Sequence, residues 1–86
     1  MISFVSYVLR FKNDDSAIGD VARDIADDNN ISRRWGYKKL INHLKNMNAA
    51  DRIFNILNDA NTEYNNEKTN TVERIYYILD FYVRQL

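Results

Sequence analysis

Apolar residues recur every three or four positions along most of this chain, and this spacing is the feature that most restricts its fold. Residues three and four apart share one face of an α-helix, in which successive side chains turn by about 100°. A strict alternation of apolar and polar residues, which is typical of half-buried strands, does not occur. The spacing therefore predicts an all-α protein.

Five helices are predicted, joined by turns rich in Asn, Asp and Ser. The chain has no proline, and its only glycines are Gly19 and Gly36, so these polar residues must supply the turns and the helix caps. The predicted helices span residues 3–12, 16–28, 37–47, 49–63 and 71–86. The stretch 29–36 has no sustained periodicity and is expected to form a loop.

Capping signals support the predicted boundaries. Good N-cap residues stand at the start of two of the helices, Ser3 and Ser16, and directly before a third, Asn48. The polar stretch 65–70 is expected to end the fourth helix. Asn70 is followed three residues later by Glu73, which matches a capping box and predicts that a fifth helix begins there.

Chain length and residue types limit the classes of function. A chain of 86 residues, 45% of them hydrophobic, is too short to form two independent cores. With no cysteine and a single histidine, it offers little for a disulfide framework, a metal centre or nucleophilic catalysis. We therefore expect one domain with no catalytic residues, no metal and no cofactor.

The apolar runs also bear on localisation. No run approaches the ~18 residues of a membrane span. Asp14 and Asp15 come too early for the apolar core of a secretory signal. The expected localisation is cytoplasmic, without membrane association.

Charge is unevenly distributed although the net formal charge is zero. Residues 13–30 hold six Asp and one basic residue, whereas residues 31–52 hold six basic residues and one Asp. This segregation predicts two oppositely charged surfaces on one molecule.

The acidic segment contains a candidate interaction face. Its members are Asp20, Asp24, Asp27 and Asp28. The first three have i, i+4, i+7 spacing, which brings them to one side of the second helix. The face is expected to be solvated or to contact a partner; pairing with Arg33 and Arg34 within the chain is an alternative. A Mg²⁺ or Ca²⁺ site is a further alternative, but the loop geometry of a calcium-binding hand is lacking.

The basic segment contains a second candidate surface, made of Arg33, Arg34, Lys38, Asn42 and Lys45. Lys38, Asn42 and Lys45 fall on the solvent side of the third helix when its apolar residues face inward. Three interpretations are open: a solvated face, a site for an acidic protein partner, and a nucleic-acid contact. In the last case Asn would pair with adenine and Arg or Lys with guanine.

His43 and three aromatic residues are interpreted as structural residues and not as binding residues. His43 has no second His, no Cys and no closely spaced acid on its helix face, so it is expected at a boundary rather than as a ligand. Trp35, Tyr37 and Tyr64 are expected to fill the core. The alternative for these three is a platform on which nucleic-acid bases stack.

The pattern of residues 3–64 resembles a known family. The matching positions are Ser3, Phe4, Tyr7, Ile18, Gly19, Asp20, Ala22, Asp27, Asp28, Tyr37, Ile41, Leu44, Phe54 and Tyr64. They are similar to the YozE-type family of small bacterial proteins, which have a sterile-alpha-motif-like (SAM-like) fold and are common in low-GC Gram-positive bacteria and their mobile elements. Ile31–Ser32 departs from the family, which has a hydrophobic–proline pair there, so the resemblance does not fix this loop.

The resemblance implies an architecture and no settled activity. It implies a compact SAM-like bundle of four short helices at residues 1–67. A C-terminal fifth helix at residues 68–86 lies beyond the family pattern and is expected to pack on the domain or in a dimer interface. The apolar arc of this helix is wide for one docking seam. Tyr77, Ile78 and Phe81 are therefore expected as oligomer contacts, the alternative being a helix that caps a monomer.

Sequence and resemblance together predict a non-enzymatic protein-interaction module. SAM domains often associate head to tail through unlike surfaces, and the acidic and basic segments supply two such surfaces. The expected partner is a second copy, as in a homodimer, or another protein, either from the host bacterium or from a mobile element. The alternative is a small DNA-associated regulator that uses the basic loop and the third helix.

Overall fold

The computed structural model describes residues 2–84, and the side chains of residues 2–68. Over this range the chain forms four helices and no strand. The helices are α1 (Phe4–Leu9), α2 (Ala17–Asp27), α3 (Tyr37–Asn46) and α4 (Asp51–Arg84). The prediction of an all-α protein is confirmed.

The first two helices begin at the predicted caps. Ser3 Oγ accepts a hydrogen bond from the Ser6 N–H at 3.1 Å, and Ser16 Oγ accepts one from the Gly19 N–H at 3.2 Å. Each cap satisfies a backbone donor that has no partner inside its helix. Both helices are shorter than predicted. After α1 the chain tightens into turns such as the one in which the Asp14 N–H donates to Phe11 O at 2.9 Å.

Asn48 ends α3 instead of capping the next helix, so its predicted role is wrong. Its φ angle is 56°, in the left-handed region that Asn tolerates better than most residues. The Asn48 N–H donates to Lys45 O, and the Ala49 N–H donates to Leu44 O, each at 3.1 Å. These two bonds form a Schellman motif at the C-terminus of α3. The following helix, α4, begins at Asp51.

α4 is one continuous helix where two were predicted. It passes through residues 65–70 without a break, so Asn70 does not open a separate helix. The stretch contains neither proline nor glycine, and each ordinary residue in it costs at most about 0.7 kcal/mol relative to alanine. That is too little to stop a helix that is already nucleated. The predicted packing of residues 71–86 lies outside the described side chains.

The core forms around α1, which contacts each of the other helices. The buried apolar side chains are Phe4, Val5, Tyr7, Val8, Val21, Ala22, Ile25, Leu40 and Leu57. Four of them lie on α1, which has only six residues. The short first helix is therefore the central element on which the longer helices pack.

Aromatic residues close the core beside α1. The ring of Phe4 meets those of Tyr37 and Tyr64 edge-on, with centroids 5.2 and 5.6 Å apart. Tyr64 Oη donates a hydrogen bond to Ile2 O at 2.7 Å. Trp35, Tyr37 and Tyr64 are half-buried and pack against the core, as predicted.

Candidate functional site

The basic surface consists of Arg33, Arg34, Lys38, Asn42 and Lys45, all of which are exposed. Lys38, Asn42 and Lys45 follow one side of α3 at i, i+4 and i+7. Within the described side chains, no carboxylate forms an ion pair with any of its four cations. The predicted solvent orientation of this face is confirmed.

Hydrogen bonds from α1 hold the loop part of the basic surface. The hydroxyls of Ser3 and Ser6 both donate to Arg33 O, the second at 3.0 Å. The Val5 N–H donates to Trp35 O at 3.2 Å. The backbone around Arg34 is thus tied to the start of α1 on both sides, while the guanidinium groups of Arg33 and Arg34 remain in solvent.

Lys39 lies next to the basic surface but has a partner of its own. Its Nζ is 5.1 Å from the centroid of the Trp35 ring, a cation–π contact worth about 0.5–1 kcal/mol at an exposed site. The same indole meets the His43 imidazole edge-on at 5.4 Å. Trp35 therefore orders the side of α3 that faces the loop.

His43 is tied to the end of α2 by an acid. Its Nε2 lies 2.9 Å from Asp28 Oδ2, with His43 20% exposed and Asp28 17%. Because an ionised carboxylate can only accept, Nε2 carries the donated proton. This hydrogen bond, followed by a weaker contribution from one that Asn30 N–H donates to Asp28 Oδ1 at 2.9 Å, lowers the pKa of Asp28 below its ordinary value.

Two members of the acidic face, Asp20 and Asp28, have partners within the chain. Asp20 pairs with Arg23, whose Nη1 also donates to Lys12 O at 2.8 Å and to Asp14 O at 3.0 Å. Asp28 is half-buried and paired with His43. The alternative of pairing with Arg33 and Arg34 does not occur among the described side chains. Two exposed members, Asp24 and Asp27, have no ion-pair partner there.

Two apolar grooves were not predicted. A cavity of about 210 Å³ lies where α2 meets the α3–α4 turn, and its lining includes Val21, Ile25, Leu44 and Ile53. A cavity of about 460 Å³, here called the α4 groove, lies between α4 and the α1–α2 connection. Its lining includes Tyr7, Phe11, Ile18, Ile56 and Ala60. Each groove combines residues far apart in the chain, so no local sequence pattern marks it.

The part of the chain that the structure describes has neither the residue grouping of a metal site nor the long apolar helix of a membrane span. It contains no group of three or more acidic, His or Cys residues placed to hold a metal ion. It contains no helix with the length and apolarity needed to cross a bilayer. The predicted oligomer contacts Tyr77, Ile78 and Phe81 lie outside the described side chains.

The chain matches no family model, no curated protein and no solved structure with which it was compared. The YozE-type resemblance therefore stays a prediction.

Proposed function

We propose that this chain is a non-enzymatic, cytoplasmic protein-interaction module of SAM-like architecture, and that its basic surface binds an acidic protein surface. The observation that carries the proposal is the group of four exposed cations without ion-pair partners, next to a loop held by hydrogen bonds from α1. Charges presented on a fixed backbone favour partners of opposite charge and accelerate association with them.

The position of Lys38 supports an intermolecular role. It lies in the first turn of α3, where no acidic residue occurs. A cation there is disfavoured by the helix dipole, typically by 0.3–1 kcal/mol. Lys38 therefore lowers helix stability slightly, and a partner's carboxylate would remove that penalty.

A second copy of the chain supplies an acidic surface. Asp24 and Asp27 are exposed on α2 without ion-pair partners among the described side chains. Contact between the basic surface of one molecule and α2 of the next joins unlike surfaces, which produces rings or filaments. We therefore propose head-to-tail self-association of this kind.

Charge reversal on the basic surface tests the proposal. Arg34→Glu with Lys38→Glu is expected to abolish the concentration-dependent rise in mass seen by sedimentation equilibrium at low salt. Both residues are exposed, so stability should change by less than about 0.5 kcal/mol for each. Arg52→Glu with Lys68→Glu makes the same change in net charge at exposed residues outside both the basic surface and the acidic face, and it should leave self-association intact.

A DNA-associated regulator is the second candidate function. Lys38, Asn42 and Lys45 share an exposed side of α3, and an amide between cations can read base edges in the major groove. A net charge of zero is less favourable for this function. Tight binding of a 20-base-pair duplex, with steep loss on adding salt, would favour DNA over a protein partner.

A further inference from the structure

The α4 groove joins an apolar floor to an acidic wall. Its floor includes Ile18, Ile56 and Ala60, and its lining also contains Asp59 and Glu63 on α4. Both acids are exposed, and neither has an ion-pair partner among the described side chains. The groove is therefore an apolar site bordered by two carboxylates that form no ion pair with the side chains the structure describes.

The carboxylates of Asp59 and Glu63 repel each other when no partner is bound. Asp59 and Glu63 are four residues apart on one helix, a spacing at which like charges repel. The field of Glu63 reaches the groove: burial, followed by the negative charges of Glu67 and Glu63, raises the pKa of Tyr7, against a smaller lowering by the positive charge of Arg10. A cation placed at this wall would relieve the repulsion, whereas an anion would increase it.

We propose that the α4 groove binds a basic amphipathic segment of another protein. One or two bulky apolar side chains enter between Ile18 and Ile56, and adjacent Lys or Arg residues pair with Asp59 and Glu63. The volume of about 460 Å³ lies within the range typical of ligand sites. Peptide segments with apolar anchors and flanking charges are a common mode of groove recognition.

The basic segment of a second copy does not suit this groove. That segment includes α3, whose apolar residues Leu40, Ile41 and Leu44 are packed on their own core. Freeing them would cost the core contacts that hold α3 in place. The α3 segment of a second copy is therefore not the occupant, and the proposal uses none of the residues of the basic surface.

Selection from a displayed library of random 12-residue peptides, with the full chain as bait, tests the groove. Enriched peptides are expected to combine Leu, Ile, Phe or Trp with at least one Lys or Arg within four positions. Synthetic versions should shift the methyl NMR signals of Ile18 and Ile56. They should lose at least about tenfold in affinity against Asp59→Lys with Glu63→Lys, and against Ala60→Glu.

Matched variants separate this site from the other surfaces. Asn58→Glu adds the same charge as Ala60→Glu at an exposed α4 residue outside the groove lining, and Asp24→Lys with Asp27→Lys reverses two acids on α2. Both should bind the peptides like the wild type, as should Arg34→Glu with Lys38→Glu. The proposal is overturned by failure to enrich any peptide, by an acidic consensus, or by binding that survives the Asp59 and Glu63 reversals. None of these outcomes depends on self-association through the basic surface.

Discussion

Replacing Gly19 by alanine should destabilise the protein even though it improves helix propensity. Gly19 is buried in α2. A Cβ at this position would overlap the carbonyl oxygen of Asp14 and would lie 3.1 Å from Phe11 O. Both oxygens belong to the backbone of the α1–α2 connection, which is held by a hydrogen bond from Arg23 to Asp14 O. The methyl group can therefore be accommodated only by moving this connection.

The size of the destabilisation by Gly19→Ala follows from a gain in helix propensity set against overpacking and lost hydrogen bonds. Alanine gains about 1 kcal/mol over glycine in helix propensity. Overpacking costs about 1–3 kcal/mol, and the connection would also lose hydrogen bonds worth about 0.5–1.5 kcal/mol each, among them those from Arg23 to Asp14 O and Lys12 O. We expect Gly19→Ala to lower the free energy of unfolding by about 2 kcal/mol, with overpacking and lost hydrogen bonds outweighing propensity.

Urea denaturation followed by far-UV circular dichroism measures this loss. Gly36→Ala is the matched control, because a Cβ at Gly36 meets no atom within 4 Å and its φ of −79° suits any residue. The control should change stability by less than about 0.5 kcal/mol, since reduced chain entropy offsets a poorer N-cap. If Gly19→Ala proved as stable as the wild type, the close approach of α2 to the connection would be refuted.

Three further substitutions test the core, the Asp28–His43 pair and the N-terminal tether. Leu57→Ala empties a fully buried position and should cost about 2–5 kcal/mol, measured as a lower urea midpoint. Asp28 has a lowered pKa in the folded state, so its stabilising effect is present above the unfolded pKa of about 3.9 and is lost as the pH falls through the folded pKa. Asp28→Asn should therefore lower the melting temperature near neutral pH, and the difference from the wild type should shrink toward pH 2. A difference of equal size at every pH would contradict the stabilisation by the ionised carboxylate. Tyr64→Phe removes the hydrogen bond to Ile2 O and should cost no more than about 1.5 kcal/mol, with faster amide exchange near Ile2.

Local patterns predicted the first three helices because their determinants lie within a few residues of one another. Ser3 and Ser16 cap the helices that directly follow them. The prediction for Asn48 is wrong because the same residue type suits an N-cap and a left-handed C-terminal position, and only the contact of Ala49 with Leu44 O decides between them. The predicted break at residues 65–70 is wrong because these residues disfavour a helix only weakly and a helix that has begun propagates.

For the candidate surfaces too, features set by nearby residues were predictable and features set by distant residues were not. The exposed side of α3 follows from the spacing of its apolar residues, so Lys38 and Lys45 were predicted correctly as solvent-facing. The pair Asp28–His43 joins residues 15 positions apart on different elements. It depends on the loop that brings α2 and α3 together, as the α4 groove depends on how α4 meets the α1–α2 connection. Sequence periodicity contains no information on these distances.

Mixing two charge-reversed variants tests head-to-tail association most directly. Arg34→Glu with Lys38→Glu leaves acidic charge on both faces of the molecule, and Asp24→Lys with Asp27→Lys leaves basic charge on both. By sedimentation equilibrium at low salt, we expect the wild type to form assemblies that grow with concentration and each variant alone to stay monomeric. Their equimolar mixture should again form assemblies that grow with concentration, because each acidic face of one variant meets a basic face of the other. A mixture that stays monomeric, or a wild type that stays monomeric at millimolar concentration, would contradict the proposed contact between the basic surface and α2.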